Sequence, residues 1–170
     1  MLIYLDHAAA TPVDKKVMAA MAPFYSEQFY NPSALYGGAR EAKLSLENAR
    51  SDVAQVVGAR PSEIIFTAGG TESANLAIKG IMHANPDGNW SVRAIENEDV
   101  LKPAKNYIHK IEPVDHNGSV LIDKLKELID DKTVLISIML ANNEIGTVQH
   151  ISSISAIINE IRAERRKSNN

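Results

Sequence analysis

The chain has 170 residues, of which 45% are hydrophobic and 23% are charged, and its formal net charge is −3. This composition is typical of a globular domain with a hydrophobic core, and the mixed charges give no basic surface for nucleic acid. No apolar run approaches the ~20 residues that span a membrane, and the apolar start reaches Asp6 too soon for a secretory signal. We therefore expect a cytoplasmic protein. Because the chain has no cysteine, these residues supply no disulfide, thiolate metal site or cysteine nucleophile.

Short apolar runs alternate along the chain with helical patterns. After an extended start at residues 2–5, the predicted helices span residues 12–24, 39–57, 73–83, 100–107, 123–129 and 151–165. The predicted strands span residues 64–67, 92–95, 108–114 and 134–140. This alternation predicts an α/β fold with a mostly parallel sheet flanked by helices, because parallel strands need crossover connections. The series ends on a helix and a polar tail, so we expect the sheet to be incomplete.

The loop at residues 68–72 connects a predicted strand to a helical pattern. Gly69 and Gly70 allow a ligand to approach the backbone closely, Thr71 supplies a hydroxyl, and the first N–H groups of the helix favour negative charge. These residue types suit a phosphate group. They also suit an ordinary connection in which glycine makes the turn and Thr71 caps the helix, so both interpretations stay open.

Five sequence phrases carry a resemblance to a known family, and they occupy residues 4–13, 31–33, 38–41, 64–75 and 141–149. In this order they resemble the cysteine desulfurases, which are class V aminotransferase-like members of the fold-type I pyridoxal 5′-phosphate (PLP) enzymes. The resemblance implies a truncated part of the PLP-dependent transferase large domain. It assigns residues 31–170 to the N-terminal part of that domain and residues 1–30 to a segment that belongs with the small domain and the active-site edge.

The resemblance also implies four cofactor-binding residues. Gly70 and Thr71 match the loop that holds the cofactor phosphate, in agreement with the anion interpretation. Asn143 matches the asparagine that contacts the pyridoxal ring oxygen, although its residue type alone favours a turn before Gly146. Asn97 stands where the family usually has a histidine that stacks on the ring and is thought to take part in proton transfers. Asparagine can lie against the ring but cannot act as an acid or base near neutral pH, and Asn97 equally suits the cap of the next helix.

Several groups that the family needs for catalysis are absent from the chain. No Ser-x-His-Lys motif supplies the Schiff-base lysine, and His109-Lys110 lies in an apolar strand pattern without the serine or the glycine of that motif. The aspartate for the pyridine nitrogen and the catalytic cysteine are also missing. The resemblance thus implies PLP as cofactor but no catalytic residue in this chain. The implied partners are the remainder of the desulfurase fold, a second copy in a homodimer and sulfur-acceptor proteins.

Three functions stay open at this level. The first is an N-terminal fragment or subunit of a cysteine desulfurase, which converts L-cysteine to L-alanine and passes a persulfide sulfur to iron–sulfur cluster assembly or tRNA thiolation. The second is a degenerate, non-catalytic binding or dimerisation partner of the same fold, which Asn97 favours. The third is a selenocysteine lyase-like enzyme. The five histidines are scattered without the paired spacing of metal ligands, so no metal site is predicted.

Overall fold

The computed structural model of the chain describes residues 3–168; residues 1, 2, 169 and 170, which belong to the predicted extended start and polar tail, lie outside it. Its α-helices are α1 (Lys15–Met21), α2 (Pro23–Ser26), α3 (Gly37–Val57), α4 (Gly70–Ala84), α5 (Glu98–Ala104), α6 (Ile122–Leu128) and α7 (Ile151–Ser168). Its strands are β1 (Asn89–Arg93), β2 (His109–Glu112) and β3 (Thr133–Ser137), and a short 3₁₀ helix covers Pro61–Glu63. Within the described residues, no helix is long and apolar enough to cross a membrane.

The chain divides into two compact units, Met1–Phe66 and Thr67–Asn170. In the first unit, α1 begins at Lys15 rather than at the predicted residue 12, because the Asp14 carboxylate caps the helix by accepting a hydrogen bond from the N–H of Lys16 at 2.7 Å. The long helix α3 also ends where predicted, at Gly58, whose left-handed φ of 69° closes the last turn. The division predicted at residue 30 stays a prediction.

The predicted strand at residues 64–67 is wrong for the described part of the chain. These residues do not form a strand, although Ile64 has an extended backbone. The carbonyl oxygen of Ile64 accepts a hydrogen bond from the Arg50 guanidinium at 2.7 Å, and the same guanidinium lies 4.9 Å from the centre of the Phe66 ring. A strand needs a neighbouring strand for its backbone groups, and here a side chain satisfies one of them.

The second unit contains a parallel sheet with strand order β2-β1-β3, which confirms the predicted α/β class. Trp90 of β1 lies opposite His109 of β2 and Leu135 of β3. Trp90 and Val92 are fully buried, as expected for a central parallel strand covered on both faces. They pack in one hydrophobic cluster with Ile78, Met82 and Ala104, which lie on α4 and α5.

The third strand is shorter than predicted. Residues 134–140 read as one apolar run, but β3 ends at Ser137, and the side chain of Leu140 is 60% exposed. The N–H of Met139 donates to a carboxylate oxygen of Glu96 at 2.6 Å instead of to a strand. Ala141 then pairs with Val148 in an isolated antiparallel bridge, which turns the chain back before α7.

Asp130 joins the amino ends of the three strands. Its carboxylate accepts hydrogen bonds from Lys110 at 2.6 Å, Asn89 at 2.9 Å and the Thr133 hydroxyl at 3.0 Å. The bond from Lys110, followed by that from Asn89, holds the pKa of the Asp130 carboxyl well below its usual range. Lys110 therefore stabilises the sheet at the end opposite the strand termini that carry Asn97 and Asn143.

We expect Asp130→Asn to lower the free energy of unfolding by about 1 kcal/mol near neutral pH, a value reduced for the half-exposed carboxylate. Because the folded pKa is depressed, this stabilisation is complete above about pH 4 and is lost as the pH falls below it. Urea denaturation followed by emission of Trp90, the single tryptophan, measures the difference at each pH. Asp131→Asn is the control, since Asp131 is fully exposed. A loss that grows in acid, or an equal loss in the control, would contradict the assignment.

Candidate functional site

A cavity of about 470 Å³ lies where the chain leaves β1 and β3. It is lined by residues 95–98 after β1 and by residues 139 and 142–145 after β3. Ligands of open α/β sheets bind outside the carboxyl ends of the strands, and small-molecule sites have volumes of roughly 300–1,000 Å³. Both the position and the size of this cavity suit a small ligand. Asn97 and Asn143, two predicted site residues from separate parts of the chain, both line it.

Asn142, which the sequence analysis missed, builds one wall of the cavity. Its side-chain oxygen accepts hydrogen bonds from the N–H groups of Glu144 at 2.9 Å and Ile145 at 3.1 Å. Its side-chain nitrogen donates to the carbonyl oxygen of Ile95 at 3.0 Å, which joins the two loops. The turn role considered for Asn143 thus belongs to Asn142. The doubled asparagine before Gly146 was the available signal, but it did not say which of the two makes the turn.

Gln149 follows the loop of residues 142–145 and joins its end to residues 118–120. Its side-chain oxygen accepts the N–H of Val120 at 3.0 Å, and its side-chain nitrogen donates to the carbonyl oxygen of Gly118 at 2.9 Å. The Gln149 side chain is buried, so these bonds satisfy polar groups that solvent cannot reach. Buried amides therefore fix the loop that carries Asn143.

Asn97 is the N-cap of α5. Its side-chain oxygen accepts the N–H of Asp99 at 3.0 Å, and its backbone is extended. The capping interpretation is confirmed, while contact with a cofactor ring stays a prediction. The cap uses the side-chain oxygen, so the amide nitrogen of Asn97 can still donate to a ligand in the cavity.

The loop before α4 has the open backbone expected of an anion site. A Cβ atom added at Gly69 or Gly70 would meet no atom within 4 Å, so a ligand has room to approach. Gly69, not Thr71, is the N-cap of α4, so the capping interpretation of Thr71 is wrong. The Thr71 hydroxyl donates instead to a carboxylate oxygen of Asp99 at 2.7 Å. The N–H of Ala68 is also taken, by the Glu72 carboxylate at 2.7 Å.

Thr71 lines a second hollow of about 230 Å³, which it shares with Asp99, Lys79 and Lys102. Asp99 connects the cavity and this hollow, because its N–H donates to Asn97 while its carboxylate accepts from Thr71. The structure thus brings Asn97 and Asn143 together, and it ties Thr71 to them through Asp99. Sequence spacing gave no signal for the Thr71–Asp99 contact, since 28 residues separate the partners.

The residues present fit the ring of a PLP molecule better than its phosphate. At the cavity, the two asparagine amides suit the ring and the ring oxygen of a pyridoxal group, and the volume is sufficient. At the α4 loop, the space suits a phosphate, but carboxylates already accept from Thr71 and Ala68. Among the described residues, no group of three or more potential ligands could hold a metal ion.

Comparisons with known proteins show the family to which the chain belongs. The family described as Aminotransferase class-V matches residues 3–163. The chain is 44% identical to the cysteine desulfurase IscS of Dictyoglomus turgidum over 166 residues, which are 93% of this chain and 42% of the relative. It is 40% identical to the putative cysteine desulfurase IscS 1 of Bacillus subtilis over 172 residues, which are 95% of this chain and 44% of the relative.

Solved structures give the same result for the fold. A NifS-like protein superposes with a TM-score of 0.91 and 38% identity over 94% of this chain and 46% of that one. A structure described as SspA in complex with cysteine superposes with a TM-score of 0.87 and 37% identity over 94% of this chain and 48% of that one. The chain thus spans less than half the length of these relatives. It belongs to the aminotransferase class-V family, in which it is similar to the cysteine desulfurases.

Proposed function

We propose that this chain is the N-terminal part of a PLP-dependent cysteine desulfurase, as a fragment or as a subunit. The reaction converts L-cysteine and a protein thiol to L-alanine and a protein persulfide, whose sulfur then passes to acceptor proteins for iron–sulfur clusters or tRNA thiolation. The observation that carries the proposal is the joint position of Asn97 and Asn143 in one cavity beyond the carboxyl ends of β1 and β3. The cysteine in the SspA structure supports the choice of substrate.

The chain's own residues would bind and orient the cofactor. Bound PLP supplies an electron sink for bond cleavage at the substrate amino acid. The N–H groups at Gly70 and the Thr71 hydroxyl would hold its phosphate, and Asn143 would donate to the ring oxygen. Asn97 would lie against the ring without moving a proton. Because the 170 residues contain no cysteine, the persulfide must form on a thiol from outside them.

Complementation tests the proposal. We expect the purified chain, mixed with a polypeptide covering the unmatched length of the Dictyoglomus turgidum relative, to bind PLP and to release alanine from L-cysteine. Neither polypeptide alone should release alanine, because the chain lacks the thiol and the other half lacks Asn143. Asn143→Ala should lower the PLP affinity of the mixture about tenfold, equivalent to loss of one hydrogen bond. Absence of PLP binding in the mixture would refute the cofactor site.

A non-catalytic partner of the same fold is the second candidate. The observation that favours it is Asn97, whose side-chain oxygen caps α5 where an acid–base group would otherwise stand. Under this function, the complemented protein binds PLP but releases no alanine. If Asn97→His then restores alanine release, the chain descends from an enzyme and has lost one catalytic group. Alanine release by the unaltered mixture would exclude this candidate.

A further inference from the structure

The Thr71 hydroxyl, which stands at the predicted phosphate end of the site, is hydrogen-bonded to an acid. We propose that Asp99 is a specificity-determining residue that lowers the affinity of the α4 loop for a phosphate group. The inference rests on the proposed function, because it takes Gly70 and Thr71 as the phosphate end of the cofactor site. It goes beyond that function by assigning a role to Asp99, which lies outside the five phrases that resemble the family.

Competition for one proton is the first reason. A threonine hydroxyl carries a single hydrogen and can donate to one acceptor at a time. The Thr71 hydroxyl donates to Asp99 at 2.7 Å, a short distance typical of a hydrogen bond to a charged oxygen. A phosphate oxygen must therefore displace the carboxylate or bind without this donor.

The rigidity of Asp99 is the second reason. Its N–H donates to the Asn97 side chain, so the residue is fixed in the first turn of α5. Its side chain is half-buried, and α5 packs against α4 beside the fully buried part of the core. Rotation of the Asp99 side chain away from Thr71 would break a hydrogen bond between α4 and α5.

Charge is the third reason. A phosphate at the α4 loop would place two negative groups next to the same hydroxyl, and like charges at short range disfavour binding. Lys79 and Lys102 line the same hollow, but Lys102 pairs with Glu98 at 3.3 Å. Within the described part of the chain, neither lysine forms an ion pair with Asp99. The repulsion is therefore not cancelled by a direct contact.

Binding of two matched probes tests the inference on the full 170-residue chain. Pyridoxine 5′-phosphate keeps the ring and the phosphate of PLP but has no aldehyde to condense with surface lysines, and pyridoxine lacks the phosphate as well. Isothermal titration calorimetry gives both affinities for the wild type, Asp99→Ala, Asp99→Asn and Asp131→Asn. Asp131→Asn is the control, because it removes one negative charge from a fully exposed side chain that lines neither the cavity nor the hollow.

We expect Asp99→Ala to bind pyridoxine 5′-phosphate about tenfold more tightly than the wild type, a factor equivalent to ~1.4 kcal/mol. Asp99→Asn keeps an acceptor but loses the charge, so it should give a smaller gain in affinity. This second variant still tests the inference if Asp99→Ala does not fold. Pyridoxine affinity should not change. An equal gain for pyridoxine or for Asp131→Asn, or no gain in either Asp99 variant, would overturn the inference and leave the proposed function standing. Failure of every variant to bind either probe would overturn both.

Discussion

Asn142→Ala is expected to lower the free energy of unfolding by about 2–3 kcal/mol. The change removes a 9% exposed side chain that accepts the N–H groups of Glu144 and Ile145 and donates to the carbonyl oxygen of Ile95. Those three backbone groups then lose their partner in a partly buried loop, which costs more than the net value of the bonds. Urea denaturation followed by Trp90 emission measures the loss.

Two further variants separate the roles of the paired asparagines. Asn142→Asp keeps the acceptor oxygen but places a charged oxygen against the carbonyl oxygen of Ile95 at a 9% exposed position, so it should cost at least as much as Asn142→Ala. Asn143→Ala removes an exposed side chain and should lower stability less than Asn142→Ala does, while it weakens binding of pyridoxine 5′-phosphate. Equal stability losses in Asn142→Ala and Asn143→Ala would show that Asn142 does not organise the loop.

The features that were predicted correctly depend on local signals. Asn97 and Gly58 cap their helices within a few positions of the chain, so residue type and spacing indicated the cap of α5 and the end of α3. The alternation of apolar runs and helical patterns likewise reflects the period of each element and predicted the parallel sheet. Local physics is sufficient for these elements.

The features that were missed depend on distant partners. A strand exists only when another strand pairs with it, and no pattern within residues 64–67 shows whether a partner is present. The bond between Thr71 and Asp99 crosses 28 positions, and the bond between Glu96 and Met139 crosses 43. Periodicity predicts which face of an element is buried, but it does not predict which polar groups meet across two loops.

Gly38→Ala is expected to destabilise the start of α3, by about 1–3 kcal/mol. A Cβ atom at this position would lie 2.5 Å from two ring carbons of Tyr30. The Tyr30 ring stacks on Phe29 at a centroid distance of 4.9 Å and meets Tyr36 edge-on at 5.9 Å. Because a rigid ring cannot absorb such an overlap by a small rotation, it must leave this cluster. Hydrogen–deuterium exchange of the α3 peptide should become faster.

Gly37→Ala is the matched control, with an effect of opposite sign. Gly37 is the neighbouring residue of the same helix, and a Cβ atom there would meet no atom within 4 Å. Alanine should stabilise the helix by about 0.5–1 kcal/mol, because it has less backbone freedom to lose, and exchange of α3 should slow. The difference between the two variants isolates the contact with Tyr30 from helix propensity, which both changes share. If both variants slow exchange, the Tyr30 ring does not pack against α3 in solution, and the aromatic cluster does not fix the entry to this helix.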